Sequence, residues 1–301
     1  MISAIVHTYN EEKNIERCLS SLHWVDEIVL IDMGSTDNTC IIAKNFKARI
    51  YSHPYTGFVE PARNFGLEKT KGDWIIIVDA DEEVSKGLAH YLLGEVQKPS
   101  SDYYRIARKN IIFGRWVKHA GWWPDYQIRF FKKGSVAWTE KIHGIPLTYG
   151  TGTELDAAEN LSLIHYHYQN IEQYIERLNR YTTISAKNLF VANQRFSTKL
   201  LFEMPTREFI NRFFAWEGYK DGIHGMALSL LQAFSELVVY LKLWELENFR
   251  EEKITLAETE ELFIKENKIT RYWFLNELLK QPHNFWNGFV FRLKRKLLQY
   301  G

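Results

Sequence analysis

Cysteine is scarce in this sequence. Only Cys18 and Cys40 occur, in no C-x-x-C or other zinc spacing, which argues against a disulfide scaffold or structural zinc and suits a reducing compartment. Neither sign of charge dominates: 38 Lys and Arg stand against 37 Asp and Glu, a formal net charge of +1. No global field draws the chain to nucleic acid, and no nucleic-acid-binding motif is present. The longest apolar stretch, Met226 to Trp244, is interrupted by Ser229, Gln232, Ser235, Glu236 and Lys242, so it reads as a packed or interfacial helix rather than a membrane span. Met1 to His7 enters an apolar strand directly, without a basic n-region or long h-region, and no signal peptide is expected. The first strand is not followed by G-x-G-x-x-G, which argues against a dinucleotide oxidoreductase. Thr8 to Asn14 also lacks the Gly-rich loop of a nucleotidyltransferase.

Aromatic residues, in contrast, are plentiful at 15%. Core packing accounts for most of them, and stacking on sugars is the functional alternative. Over the first hundred residues, apolar runs alternate with helix-period segments: strands at Ile2 to His7, Glu27 to Ile31, Arg49 to Ser52 and Trp74 to Val78, helices at Glu12 to Leu22, Asp37 to Phe46 and Glu60 to Lys69. Strands apolar on both faces and joined by helices predict an α/β fold, a Rossmann-like, mostly parallel sheet flanked by helices. Strand-like pieces, including Tyr103 to Ala107 and Gln127 to Phe131, continue to about His167. Helical periodicity then runs nearly unbroken to Leu298. The expected division is an α/β domain over 1–170, its two parts meeting near residue 100, and a helical C-terminal region over 171–301; the motifs below mark the first domain as catalytic, its first part as the nucleotide-sugar part and its second as the acceptor part.

The strongest chemical signal is Asp79-Ala80-Asp81-Glu82-Glu83, directly after the apolar strand Trp74 to Val78. Acids at the carboxyl end of a parallel strand face the ligand crevice of such sheets. Four carboxylates in five residues repel one another, and a hard cation, Mg²⁺ or Mn²⁺, would relieve the conflict. Two further strand ends, Thr8-Tyr9-Asn10-Glu11 and Asp32-Met33-Gly34-Ser35-Thr36-Asp37-Asn38-Thr39, place short polar side chains and backbone N–H groups where an anion can bind. Each can also be read as plain helix capping. Three such turns on the ends of one sheet favour a nucleotide crevice.

Thr8-Tyr9-Asn10-Glu11, Asp32-x-Gly34-Ser35-Thr36-Asp37-x-Thr39, Ala62-Arg63-Asn64-x-Gly66 and Gly72-Asp73-x5-Asp79-Ala80-Asp81-Glu82 together resemble the family 2 glycosyltransferases with the GT-A fold. The stretch Gly121-Trp122-Trp123-Pro124-Asp125-x-Gln127-x-Arg129-x-Phe131 and Asp221-Gly222-x2-Gly225 are similar to the lipopolysaccharide core biosynthesis glucosyltransferase branch. The resemblance implies an inverting transferase moving a hexose from a UDP-sugar to a carbohydrate or glycolipid hydroxyl with Mn²⁺ or Mg²⁺. By that resemblance Thr8, Tyr9, Asn10, Glu11, Asp32 and Ser35 would hold the nucleotide, Arg63 would approach it, and Asp79, Ala80 and Asp81 would serve ribose, metal and diphosphate.

Asp125 is the candidate base, its apolar neighbours Trp122, Trp123 and Pro124 being expected to raise its pKa. A turn Asp paired with Arg129 is the alternative. The candidate metal ligands are Asp81, Asp79 and a histidine: His143 first, then His165 and His167. A sugar-nucleotide-binding protein without turnover remains the non-enzymatic alternative. The segment 281–301 has no acid and carries Arg292, Lys294, Arg295 and Lys296 among aromatics, a pattern that can lie on an anionic membrane. The expected location is cytoplasmic, with that segment against the inner face of the cytoplasmic membrane.

Overall fold

A computed structural model describes residues 1–55, 59–138 and 146–300. The chain divides into two compact units, residues 1–112 with 122–167 and residues 113–121 with 168–300.

The first unit opens with β1 (Ile2–Thr8), α1 (Ile15–Ser20), β2 (Glu27–Asp32), α2 (Thr39–Asn45), β3 (Arg49–Ser52), α3 (Glu60–Lys69) and β4 (Trp74–Asp79). It continues through β5 (Glu82–Val84), α4 (Lys86–Gln97) and β6 (Tyr103–Ile112). The short strand β7 (Arg115–Trp116) belongs to the second unit. Then follow β8 (Asp125–Lys132), β9 (Val136–Ala137), β10 (Leu147–Thr148), β11 (Gly152–Glu154) and β12 (Leu163–Tyr166). The main sheet has the order β3-β2-β1-β4-β8-β6-β12-β5, with β11 beside β6. β3, β2, β1 and β4 are mutually parallel; β8 runs antiparallel between β4 and β6. This is the α/β, mostly parallel sheet flanked by helices that the apolar runs predict.

Alternation along each strand feeds two cores. Ala4, Val6, Leu30, Ile76 and Val78 pack with Ile15, Leu19, Leu88 and Leu92 on one face. Ile5, Val29, Ile31, Ile75 and Ile77 pack with Ala62, Phe131 and Trp138 on the other. Burial on both faces explains why β4 reads as an uninterrupted apolar run. Gly66 lets α3 lie close on β1: a Cβ there would come within 2.9 Å of Ile5 Cγ2.

The second unit holds α5 (Ile171–Val191), α6 (Thr198–Ile210), α7 (Ile223–Leu246), α8 (Leu256–Lys280) and α9 (Phe285–Tyr300). A π turn, Asn211–Ala215, extends α6. Phe113–Gly121 belongs with these helices because buried Asp221 accepts the backbone N–H groups of Lys118 (2.9 Å) and His119 (2.8 Å) and pairs with His119 Nδ1 at 3.1 Å. In Asp221-Gly222-x2-Gly225, a Cβ at Gly225 would fall 1.7 Å from the Gly218 carbonyl oxygen, so glycine alone permits that approach. α7 is long and apolar enough to cross a membrane by length and composition. Its Gln232 and Lys242 bond Tyr174, Asn179, Thr182 and Thr183 of α5, as a packed helix requires.

Candidate active site

Strand direction gathers the site. In the parallel ladder Thr8 lies opposite Asp32 and His7 opposite Asp79, so the ends of β1, β2 and β4 share one edge. Antiparallel β8 delivers its beginning, Asp125, to that edge, where Arg108 of β6 is its partner in register. β12 pairs with both β6 and β5, placing His165 beside Asn110 and Glu82.

The first two loops lock to each other. Asn10 has a left-handed backbone (φ 56°), tolerable for Asn, and its N–H donates to Ser35 Oγ at 2.9 Å. Asn10 Oδ1 accepts the Thr36 N–H at 2.8 Å. The Glu11 N–H donates to Thr39 Oγ1 (2.8 Å) and the Glu12 N–H to Asp37 Oδ2 (3.1 Å). Asp32 is buried and folds its own turn, accepting the N–H groups of Gly34 and Ser35. Tyr9, nominated from the first motif, stacks on Tyr55, which was not, with centroids 4.5 Å apart, an exposed aromatic ledge at this edge.

The acidic run does not form one turn. Asp79 closes β4, Asp81 lies between strands, and Glu82 and Glu83 belong to β5, paired with β12. Charge conflict is met within the protein by arginines. Arg129 donates to Asp79 and, at 2.7 Å, to Glu82; Arg63 reaches Asp79 at 3.4 Å. Burial pushes the Asp79 carboxyl up, but Arg129 and Arg63 outweigh it and hold the group well below the ordinary carboxylate range. Fully buried Glu82, its Oε2 accepting the Asp79 N–H at 3.0 Å, is pushed up by burial, with Arg129 opposing. His7, next to them, is lowered to about 3 by burial and then Arg63, and stays neutral.

Arg129→Met should therefore destabilise the fold by about 3–5 kcal/mol, because it leaves Asp79 and Glu82 facing each other without their shared cation. Urea unfolding measures this, and partial recovery in Arg129→Met/Glu82→Gln is the expected second result. A loss under about 1 kcal/mol would show that the pairing carries little stability.

Asp125 differs from the alternative reading in its partner and from the expected base in the direction of its pKa shift. Its ion-pair partner is Arg108, not Arg129: Arg108 Nε and Nη2 donate to Oδ2 at 2.9 and 2.6 Å, joined by Asn110 Nδ2 at 3.2 Å, while Gln127 Nε2 donates to Oδ1 at 3.1 Å. Its pKa is lowered, not raised as expected: burial pushes it up, but Arg108, Asn110 and Gln127 together hold the carboxyl below the usual Asp range. The carboxylate is thus ionised and aimed by three donors.

Asn110 also orients His165. Its Nδ2 donates to the Trp122 carbonyl (2.8 Å) and to Asp125, which turns Oδ1 toward His165 Nδ1 at 2.6 Å. The other ring nitrogen of His165, Nε2, then faces Asp81 Oδ2, 3.5 Å away. An imidazole nitrogen and a carboxylate oxygen side by side are donors that Mg²⁺ or Mn²⁺ could take, so Asp81 and His165 are the residues that would hold such an ion. Among the described residues no three His, Cys, Asp or Glu side chains make a ready metal cluster, so such an ion would need ligand oxygens from elsewhere. His143 lies outside the described residues. The other nominated residues are placed as follows: Thr8 is buried at the end of β1, and Ala80 is buried between Asp79 and Asp81. Arg108 and Asn110 were not foreseen; their signal is two polar residues at alternate positions of the otherwise largely buried β6.

Nucleotide-type loops at parallel strand ends, a carboxylate at the next turn and an aimed aspartate define a group-transfer enzyme of the α/β class. Residues 3–151 match the model of glycosyl transferase family 2, and the chain belongs to that family. An uncharacterized glycosyltransferase of Rickettsia bellii is 28% identical over 267 residues, 81% of this chain and 86% of that one. The lipopolysaccharide core biosynthesis glycosyltransferase LpsC of Rhizobium meliloti is 25% identical over 254 residues, covering 81% and 92%. Among solved structures, glucosyl-3-phosphoglycerate synthase from Mycobacterium tuberculosis, crystallised with Mn²⁺, UDP and glucosyl-3-phosphoglycerate, is 26% identical over 36% of this chain and 44% of its own, with a TM-score of 0.31. The aligned region is less than half of that protein's length.

Proposed function

We propose that this glycosyltransferase moves a hexose from a UDP-sugar to a carbohydrate or glycolipid hydroxyl with inversion, in assembly of a lipopolysaccharide-type glycoconjugate. The observation that carries the reading is the convergence of Asp81, His165 and Asp125 with the Asn10 and Asp32 loops on one sheet edge. Thr8, Tyr9, Asn10, Glu11, Asp32, Ser35 and Arg63 are assigned to the nucleotide, with Tyr9 and Tyr55 as a stacking surface for the base. Asp79 serves as the partner that keeps Arg63 and Arg129 in place and is the weaker metal donor, because its oxygens are already engaged. Asp81 and His165 would hold Mn²⁺ or Mg²⁺ beside the diphosphate. Bound there, the ion would neutralise charge developing on the leaving diphosphate.

Asp125 accepts the proton of the acceptor hydroxyl as the new bond forms on the face opposite the leaving group. Arg108, Asn110 and Gln127 fix the direction of its oxygens. The catalytic unit is assigned to 1–170 and the acceptor's bulk to its second half. The relative LpsC, of lipopolysaccharide core biosynthesis, supports the acceptor class. Two free thiols, Cys18 and Cys40, suit a cytoplasmic setting.

Thermal unfolding with UDP, GDP, CDP and dTDP, each with and without Mn²⁺, tests the donor. A ligand that binds only the native state at 100 times its Kd adds roughly 2.7 kcal/mol of apparent stability. The expected result is a rise in Tm with UDP that needs Mn²⁺. A shift confined to another nucleotide overturns the UDP assignment, and a metal-independent shift overturns the role of Asp81.

A further inference from the structure

Helix α9 presents an apolar face away from its own unit. Its inner side, Gly288, Phe291, Arg295 and Leu298, is buried or half-buried, and Arg295 Nη1 donates to Asn276 of α8 at 3.0 Å. At 100° per residue the opposite sector contains Phe285, Trp286, Phe289, Val290, Leu293 and Leu297, all exposed. Phe285 is 78% exposed, Trp286 73% and Leu297 65%. Soluble surfaces carry isolated apolar side chains, whereas a continuous row along four turns of one helix marks a face that meets something.

Charge selects the partner. Exposed Arg292 and Lys296 border the apolar sector on one side and Lys294 on the other, and no acid occurs from Gln281 to the end of the sequence. A second copy pairing through this face would bring like cations together, whereas anionic lipid headgroups complement them. Aromatic rings at the start of the sector suit the depth between headgroups and acyl chains. We infer that α9 lies in the surface of an anionic bilayer, with Phe289 and Leu293 immersed and Arg292, Lys294 and Lys296 among the phosphates. The inference does not depend on the identity of donor, acceptor or base.

The test is co-sedimentation of the full-length chain with vesicles of phosphatidylcholine alone or with 30% phosphatidylglycerol, at low and high salt. Three cations near the surface predict roughly 100-fold tighter binding to the anionic vesicles, lost at high salt. Phe289→Glu/Leu293→Glu should weaken anionic-vesicle binding at least about tenfold. Both positions are exposed, so the circular dichroism and the UDP-dependent Tm shift should be unchanged. Equal binding of wild type to both vesicles, or full binding by the double variant, overturns the inference. So does a dimer in sedimentation velocity that the double variant dissociates, which would make a second copy the occupant.

Discussion

Asp81→Asn should lower kcat/KM for sugar transfer at least about 10³-fold and remove the Mn²⁺-dependent part of UDP binding, with little change in stability. Charge rather than shape is removed. Asn preserves the volume and one carbonyl oxygen but cannot balance a divalent ion, and a catalytic cation supplies several kcal/mol of transition-state stabilisation, where 4 kcal/mol is about 10³-fold. The contrast with Asp79 makes the experiment specific. Asp79 is bonded by Arg129 and Arg63, so Asp79→Asn should appear first as lost folding stability. Asp81 faces His165 across 3.5 Å, and its loss should appear in metal-dependent binding. Calorimetric titration of UDP with and without Mn²⁺, beside initial rates, separates the two. Retention of metal-dependent UDP affinity in Asp81→Asn would remove the residue from any metal site.

The division between what sequence made legible and what it hid follows contact range. Strands β1, β2 and β4 announce themselves through local alternation and apolar runs, and the residues at their ends, Asn10, Asp32 and Asp79, follow from strand direction alone. The environment of Asp125 could not be read this way. Its sequence neighbours Trp122, Trp123 and Pro124 are apolar, yet the groups that set its charge are Arg108 and Asn110, 17 and 15 residues earlier. Strand β5 is three residues long and rich in carboxylates, so it reads as a turn; only its pairing with β12 makes it a strand and brings His165 to Asp81. The segment 113–121 interrupts a stretch expected to be one domain, because its anchor, Asp221, is about a hundred residues away.

Asp125→Asn should lower kcat about 10³-fold while leaving UDP affinity within about twofold, since general-base contributions span roughly 10²–10⁴-fold and the donor is assigned to other residues. The pH profile gives a sharper reading. Burial pushes the Asp125 pKa up, but Arg108, Asn110 and Gln127 bring it below the ordinary Asp range. A base must be ionised, so no acid limb in kcat/KM should arise from this residue at or above the pH where an ordinary Asp titrates. The same sign governs stability: a depressed carboxylate contributes fully above its unfolded pKa, and the contribution fades as pH falls through the folded one. Arg108→Gln deletes the principal lowering influence and leaves burial opposed only by the neutral donors, so the acid limb should move to higher pH, with kcat at pH 8 reduced less than in Asp125→Asn. An active Asp125→Asn enzyme would reassign the base. Asp102 is a poor substitute: it precedes β6 at the edge opposite Arg108, and bonds from Lys132 and Thr151 hold its pKa at about 2. An Arg108→Gln profile superimposable on wild type would show that another group limits the rate at low pH, even with Asp125 essential.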